Sequence, residues 1–423
     1  MHKNNIELEK ITKVLNEFKI SDIGKSCGFC SRQRVVKPFE LVISLLTAMG
    51  DKTVDSISDL HRYFTGLTYS DVQYKPFHNQ LSKPEFLTLM KRLVGMAMAN
   101  WQEQVLGTDV NLDRFKEVVV QDGSSFAVHD SLSEEFKGRF TTISPAAIEV
   151  HVSWNILSSQ PAAVSVSADS QAEYDFLPQA ISLMNKLFLA DRGYFKLSYL
   201  REIDEAGGFY TVRAKTTSNP QVIAGYTVNG KPLKRFKDAP LKAVKQYIRR
   251  SEIVDMDVVN PHGYRMIASW PKDKEQPTYW VTNLPRSEYS SSNIIKLYGL
   301  RWQIEILFKE WKSYCNLRKF NTRKATMMEG LVWMSLLALL VKRRIGFSIQ
   351  QLKGIAISSF LVAKNTQGWF YKLMESIIHF DQIELKQTWH WAIDYLARYA
   401  KRAHPDRDRK TGRLAPSLTP IIS

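Results

Sequence analysis

Cysteine is scarce in this chain: three residues in 423, Cys27, Cys30 and Cys315. So few exclude a disulfide framework and suit a reducing cytoplasm. Cys27-Gly-Phe-Cys30 has the spacing of half a zinc site, but no second pair follows it. Long apolar runs are missing as well. The most apolar stretch, Gly330 to Val341, falls short of the roughly 20 residues that span a bilayer and ends in Lys342-Arg343-Arg344. It reads as a buried helix, with no membrane role expected, and the N-terminal segment lacks the apolar stretch of a signal peptide. No internal repeat or low-complexity block is evident. Acidic residues are the remaining shortage: 42 Asp+Glu against 58 Lys+Arg give a formal charge of +16. That excess favours a polyanionic partner.

What is present changes texture twice along the chain. Residues 1–105 read as helical: Pro38 opens one segment, Asp51-Lys-Thr53 restarts another through Ile57, Leu60 and Phe64, and Ser82-Lys-Pro-Glu85 fits a capping box ahead of a long helix. Arg32, Arg34, Lys37, Arg62, Lys75, Lys91 and Arg92 are scattered among these helices. Two roles fit such a region, a DNA-binding domain or a helical cap, and no helix stands out as one that reads bases.

After Asn111 the texture turns β-branched. Phe115-Lys-Glu-Val-Val-Val-Gln-Asp122-Gly predicts a strand ending in Asp-Gly, and Ile148 to Ile156 and Ala162 to Val166 predict two more. Helical spacing is expected from Glu173 to Lys186, a short apolar strand at Leu187-Phe-Leu-Ala-Asp191, a helix from Lys196 to Ala206, and a fifth strand at Phe209. Strand–strand–strand–helix–strand–helix–strand, with an Asp on the first and fourth strands, is the ribonuclease H-like arrangement. The fold class is therefore α/β. Its parts are expected to be a helical N-terminal region (1–105), the first part of the catalytic domain (112–208), a fifth strand and β-rich insertion (209–292), and the second part of the catalytic domain (293–325). A helical C-terminal region (326–400) and a basic tail expected to be disordered (401–423) follow.

The stretch from Tyr298 to Lys312 predicts one helix with two faces. At 100° per residue, Leu297, Leu300, Ile304, Leu307, Phe308 and Trp311 form an apolar stripe, while Tyr298, Arg301, Glu305 and Lys312 fall within roughly 60° of one another beside it. A solvated helix laced with ion pairs is the plain alternative. Against it, Arg301 precedes Glu305, the less favourable order, and Tyr298 and Trp302 are costly on a solvated face.

The spacing Tyr298-x2-Arg301-x3-Glu305-x6-Lys312 resembles, at all four positions, the signature of the insertion-sequence-four family of bacterial DDE transposases. That resemblance implies that Glu305 completes an acidic triad with Asp122 and Asp191, which would hold two Mg²⁺ ions, or Mn²⁺ in their place. Two such ions can activate a nucleophile and stabilise the leaving 3′ oxygen of a phosphodiester. It also implies that Tyr298, Arg301 and Lys312 hold phosphates near the scissile bond, and that a tryptophan, Trp280 or alternatively Trp270, stacks on a flipped base. The family carries a β-rich insertion between the second Asp and the Glu. The expected partner is double-stranded DNA, both terminal inverted repeats and target, bound by a homodimer in the bacterial cytoplasm. The expected reaction is cut-and-paste transposition. A DNA-binding protein that no longer cuts, and a nuclease without strand transfer, remain as other readings.

Overall fold

The structure, a computed structural model, describes residues 2–30, 35–101, 112, 114–250, 252–259, 262–366, 368–405 and 408. Helices α1 (His2–Thr12), α2 (Glu17–Ser26), α3 (Pro38–Met49), α4 (Ile57–Thr68), α5 (Tyr74–Leu81) and α6 (Pro84–Asn100) come first. Strands β1 (Glu117–Ala127), β2 (Ala147–Asn155), β3 (Gln160–Ala168) and β4 (Lys186–Ala190) lead to α7 (Leu197–Glu205) and β5 (Phe209–Arg213). Then come β6 (Gln221–Thr227), β7 (Ala239–Pro240), the short α8 (Leu241–Val244), β8 (Ile253–Val259), β9 (Gly263–Ser269) and β10 (Thr278–Thr282). The chain closes with α9 (Ser291–Gly299), α10 (Trp302–Tyr314), α11 (Ala325–Lys353), α12 (Ser359–Lys364), α13 (Trp369–Ile378) and α14 (Gln382–Tyr399).

All ten strands join one mixed sheet in the order β3-β2-β1-β4-β5-β10-β9-β8-β6-β7. The strands expected between residues 209 and 292 thus extend the same sheet from β5 outward. β1 runs antiparallel to β2 and parallel to β4, and β4 runs parallel to β5. Side-chain alternation then divides the core. Val118, Val120, Leu187 and Leu189 face a helical layer containing α3, α6, α10 and α11, whereas Val119, Phe188 and Ala190 face α7 with Leu200 and Ile203.

Several local expectations are corrected. The stretch around Tyr298 forms two helices joined at Leu300 and Arg301, where the bonds tighten to i,i+3: Arg301 N–H donates to Tyr298 O at 3.0 Å and Ile304 N–H to Arg301 O at 3.1 Å. Residues 173–186 form two 3-10 turns in place of a helix, because Pro178 forces Leu177 to an extended ψ of 142°. Ser82 caps nothing ahead of α6; its hydroxyl donates to His78 O, and Pro84 starts α6 at its first turn. Ser56, not Asp51, caps α4, through a reciprocal box with Asp59. The apolar run Gly330 to Val341 is the middle of the 29-residue α11, which by length and composition could cross a bilayer but is buried inside the helical layer. Arg32, Arg34, the 102–111 linker and residues 409–423 of the basic tail lie outside the described residues. Lys401, at that tail's start, bridges to Ile357.

Candidate active site

Register alone brings two acidic residues together. Gln121 of β1 pairs with Ala190 of β4, so the next residues, Asp122 and Asp191, lie side by side where these parallel strands end. By alternation both point to the helical face, as Val120 and Leu189 do. The apolar stripe of α10 settles against that face: Leu300, Ile304, Leu307, Phe308 and Trp311 are all buried. Its polar stripe is thereby held over the strand ends.

Arg301 is the hinge of the arrangement. Its Nη1 lies 3.4 Å from Asp122 Oδ2 and its Nη2 donates to Glu305 Oε1, while its buried Nε has no partner. Tyr298 donates its hydroxyl to Asp191 Oδ1 at 3.2 Å, and Lys312 donates to the Ser125 carbonyl at 3.3 Å. Asp122 also accepts from the Gly123 N–H at 3.0 Å. Every residue of the four-position signature therefore touches a triad carboxylate or the strand that carries one.

Charge is unbalanced here. Burial pushes the Asp122 carboxyl up to about 6, against the pull of Arg301, and the nearby Asp191 and Glu305 charges push it further. Burial beside Asp191 likewise raises the Tyr298 phenol, which stays protonated as a donor. Burial lowers the Lys312 ammonium. Three carboxylates within electrostatic reach of one another, all hard oxygen donors, suit Mg²⁺ or Mn²⁺. Among the described residues no three acidic, imidazole or thiol groups stand at cation-holding spacing, because Arg301 fills the gap between Asp122 and Glu305.

Trp280 sits in β10 opposite Arg213 of β5, buried, with its ring edge-on to Tyr298 at 5.9 Å. It supports Tyr298 from behind and presents no open face. Trp270 is more exposed; its Nε1 donates to Lys274 O and the Arg250 guanidinium lies over its ring. Arg213, which sequence reasoning missed, reaches within 3.8 Å of Asp191. Its signal was present: it ends the strand beside β4, at the edge where Asp122 and Asp191 lie.

Residues 113–341 match the family described as the transposase DDE domain. The chain is 24% identical over 331 residues to the transposase for insertion sequence element IS231F of Bacillus thuringiensis subsp. israelensis, covering 66% of this chain and 68% of that one. It is 24% identical to the IS231C transposase of Bacillus thuringiensis subsp. berliner, covering 81% of this chain and 80% of that one. It is 22% identical to the IS1151 transposase of Clostridium perfringens, covering 57% of this chain and 60% of that one.

Proposed function

We propose, from the premise that this chain belongs to the family of transposases with a DDE domain, that it binds the terminal inverted repeats of an insertion sequence and moves the element by cut-and-paste. The observation that carries this reading is the register that seats Asp122 beside Asp191 under Glu305, with the Tyr298, Arg301 and Lys312 signature attached. The signature assigns the chain to the insertion-sequence-four group. Strands β6 to β9 are its insertion, grown onto the ribonuclease H-like sheet.

In this reading Asp122, Asp191 and Glu305 hold two Mg²⁺ ions, which supply charge for the entering and leaving oxygens at phosphorus. Arg301 neutralises the triad before a cation arrives, and is free to turn a bidentate fork toward a phosphate once one does. Tyr298 keeps its proton and orients the Asp191 carboxylate. Lys312 adds a point charge beside the strand that carries Asp122. Trp280, packed behind Tyr298, reaches a flipped base only if α9 shifts; otherwise Trp270 takes that role. A homodimer would place one such site at each element end, and the +16 charge suits the polyanion.

Cleavage of a supercoiled plasmid carrying the repeats that flank the gene, in Mg²⁺ and in EDTA, tests the reading. Mg²⁺-dependent breaks at the repeat ends and joined products are expected, with Glu305→Gln slower by about 10³-fold, several kcal/mol of lost transition-state stabilisation. Binding without breaks under all conditions would leave a DNA-binding protein instead. Breaks without joined products would leave a nuclease.

A further inference from the structure

The cleft above the strand ends has a wall that the signature does not account for. Asp122, Asp191, Tyr194 and Lys215 line it together with Glu173, which opens the 3-10 turn Glu173–Phe176. Glu173 comes close because residue 193 has no side chain: a Cβ there would lie 2.5 Å from Glu173 Oε2. The turn after β4 thus carries Asp191 and also admits a carboxylate from a separate segment. A second, independent feature points into the same cleft. Tyr194 is 1% exposed, its hydroxyl has no hydrogen-bond partner, and it lies within electrostatic reach of Asp122 and Glu173. Such a buried hydroxyl calls for a polar ligand beside it.

We propose, resting on the transposase reading above, that Glu173 is a fourth carboxylate of this cleft and ligates a divalent cation held by Asp122 and Asp191. Glu305 and Arg301 approach those aspartates from α10, whereas Glu173 approaches over Gly193, so the two glutamates flank the pair from different segments. The donor set is oxygen throughout, the preference of Mg²⁺ and Mn²⁺. Without a cation, Glu173 rests against Arg139, whose Nη1 is 3.8 Å from Glu173 Oε1. Arg139 is held by other contacts, its backbone N–H and Nε donating to Asp169 and its Nη2 to Glu149. Glu173 can leave it without unseating the loop.

The test is Mn²⁺ binding to the full chain without DNA, read by electron paramagnetic resonance, for wild type, Asp122→Asn, Glu173→Gln and Arg139→Gln. Glu173→Gln is expected to weaken Mn²⁺ about tenfold, and Arg139→Gln, which frees Glu173, to tighten it. A merely structural ion pair would move both variants the same way. Fe²⁺-driven hydroxyl-radical cutting of the chain supplies a second readout, with cuts expected near residues 122, 173 and 191. If Asp122→Asn weakens Mn²⁺ while Glu173→Gln binds like wild type and no cut appears near 173, the fourth ligand is overturned and the transposase reading stands. If wild type binds no Mn²⁺ at all, both fall.

Discussion

Glu149 shows how a single carboxylate can be set against its surroundings. It points to the face of the sheet away from Asp122, with Ser153 and His151 on the same side of β2, and is 5% exposed. Burial, with Glu173, Asp169 and Asp122 nearby, pushes its carboxyl from 4.5 up to about 7, against the pull of Arg139. Because the folded value is raised, the stability this group contributes is complete below about pH 4.5 and is lost as pH rises through 7. Glu149→Gln should therefore match wild type below that range and exceed it at pH 8 by up to about 3 kcal/mol, the free energy of holding the proton across that interval of pH. Urea melts at pH 4 and pH 8 in EDTA check this; equal midpoints at pH 8 would show that the ionised form is better solvated than its burial implies. Nothing in the sequence around Glu149 announces this. Asp122 and Asp191, by contrast, were legible as acidic residues closing apolar strands, since strand ends are where a carboxylate can stay wet.

Helices and strands were legible wherever their burial pattern repeated. The apolar stripe of α10 and the alternation of β8, β9 and β10 follow from one-sided burial, and the structure buries those residues. The errors came where short-range chemistry had more than one outlet. Pro178 broke the helical spacing after Glu173, and the i,i+3 turn at Leu300–Arg301 split a continuous periodicity that a 100° count cannot detect. Close helix packing is equally silent in sequence. α11 crosses α6 at Gly330, where a Cβ would lie 2.5 Å from Phe86 Cε1, and Phe86 is fully buried. Gly330→Ala gains helix propensity of about 0.5–1 kcal/mol but overpacks this contact by about 1–3 kcal/mol. A net loss near 1 kcal/mol is expected in equilibrium denaturation, and a gain would mean that Phe86 swings aside at no cost.

At the scale of the molecule, the two ends of the chain share one core. Trp389 of α14 donates its Nε1–H to Asn4 O at 3.0 Å, and Arg344 of α11 donates to Glu7 of α1, which also accepts from Ser348 at 2.8 Å. Glu7 and Arg344 are both nearly excluded from solvent, at 7% and 3%. Removing one partner strands the other charge, so Glu7→Gln should cost about 3 kcal/mol in denaturation, the usual loss for a broken buried pair. A wild-type midpoint would mean that α1 adds nothing to the fold. The sequence by itself determined the fold class, the two strand-end aspartates, the helix that carries Glu305 and the basic charge, because periodicity, residue chemistry and net charge are local or additive. Only the tertiary structure decided that the N- and C-terminal helices form one layer, that Arg301 spans Asp122 and Glu305, and that Glu173 enters the cleft over Gly193. Those contacts join segments far apart in the chain, and their geometry depends on register and packing that no local pattern encodes.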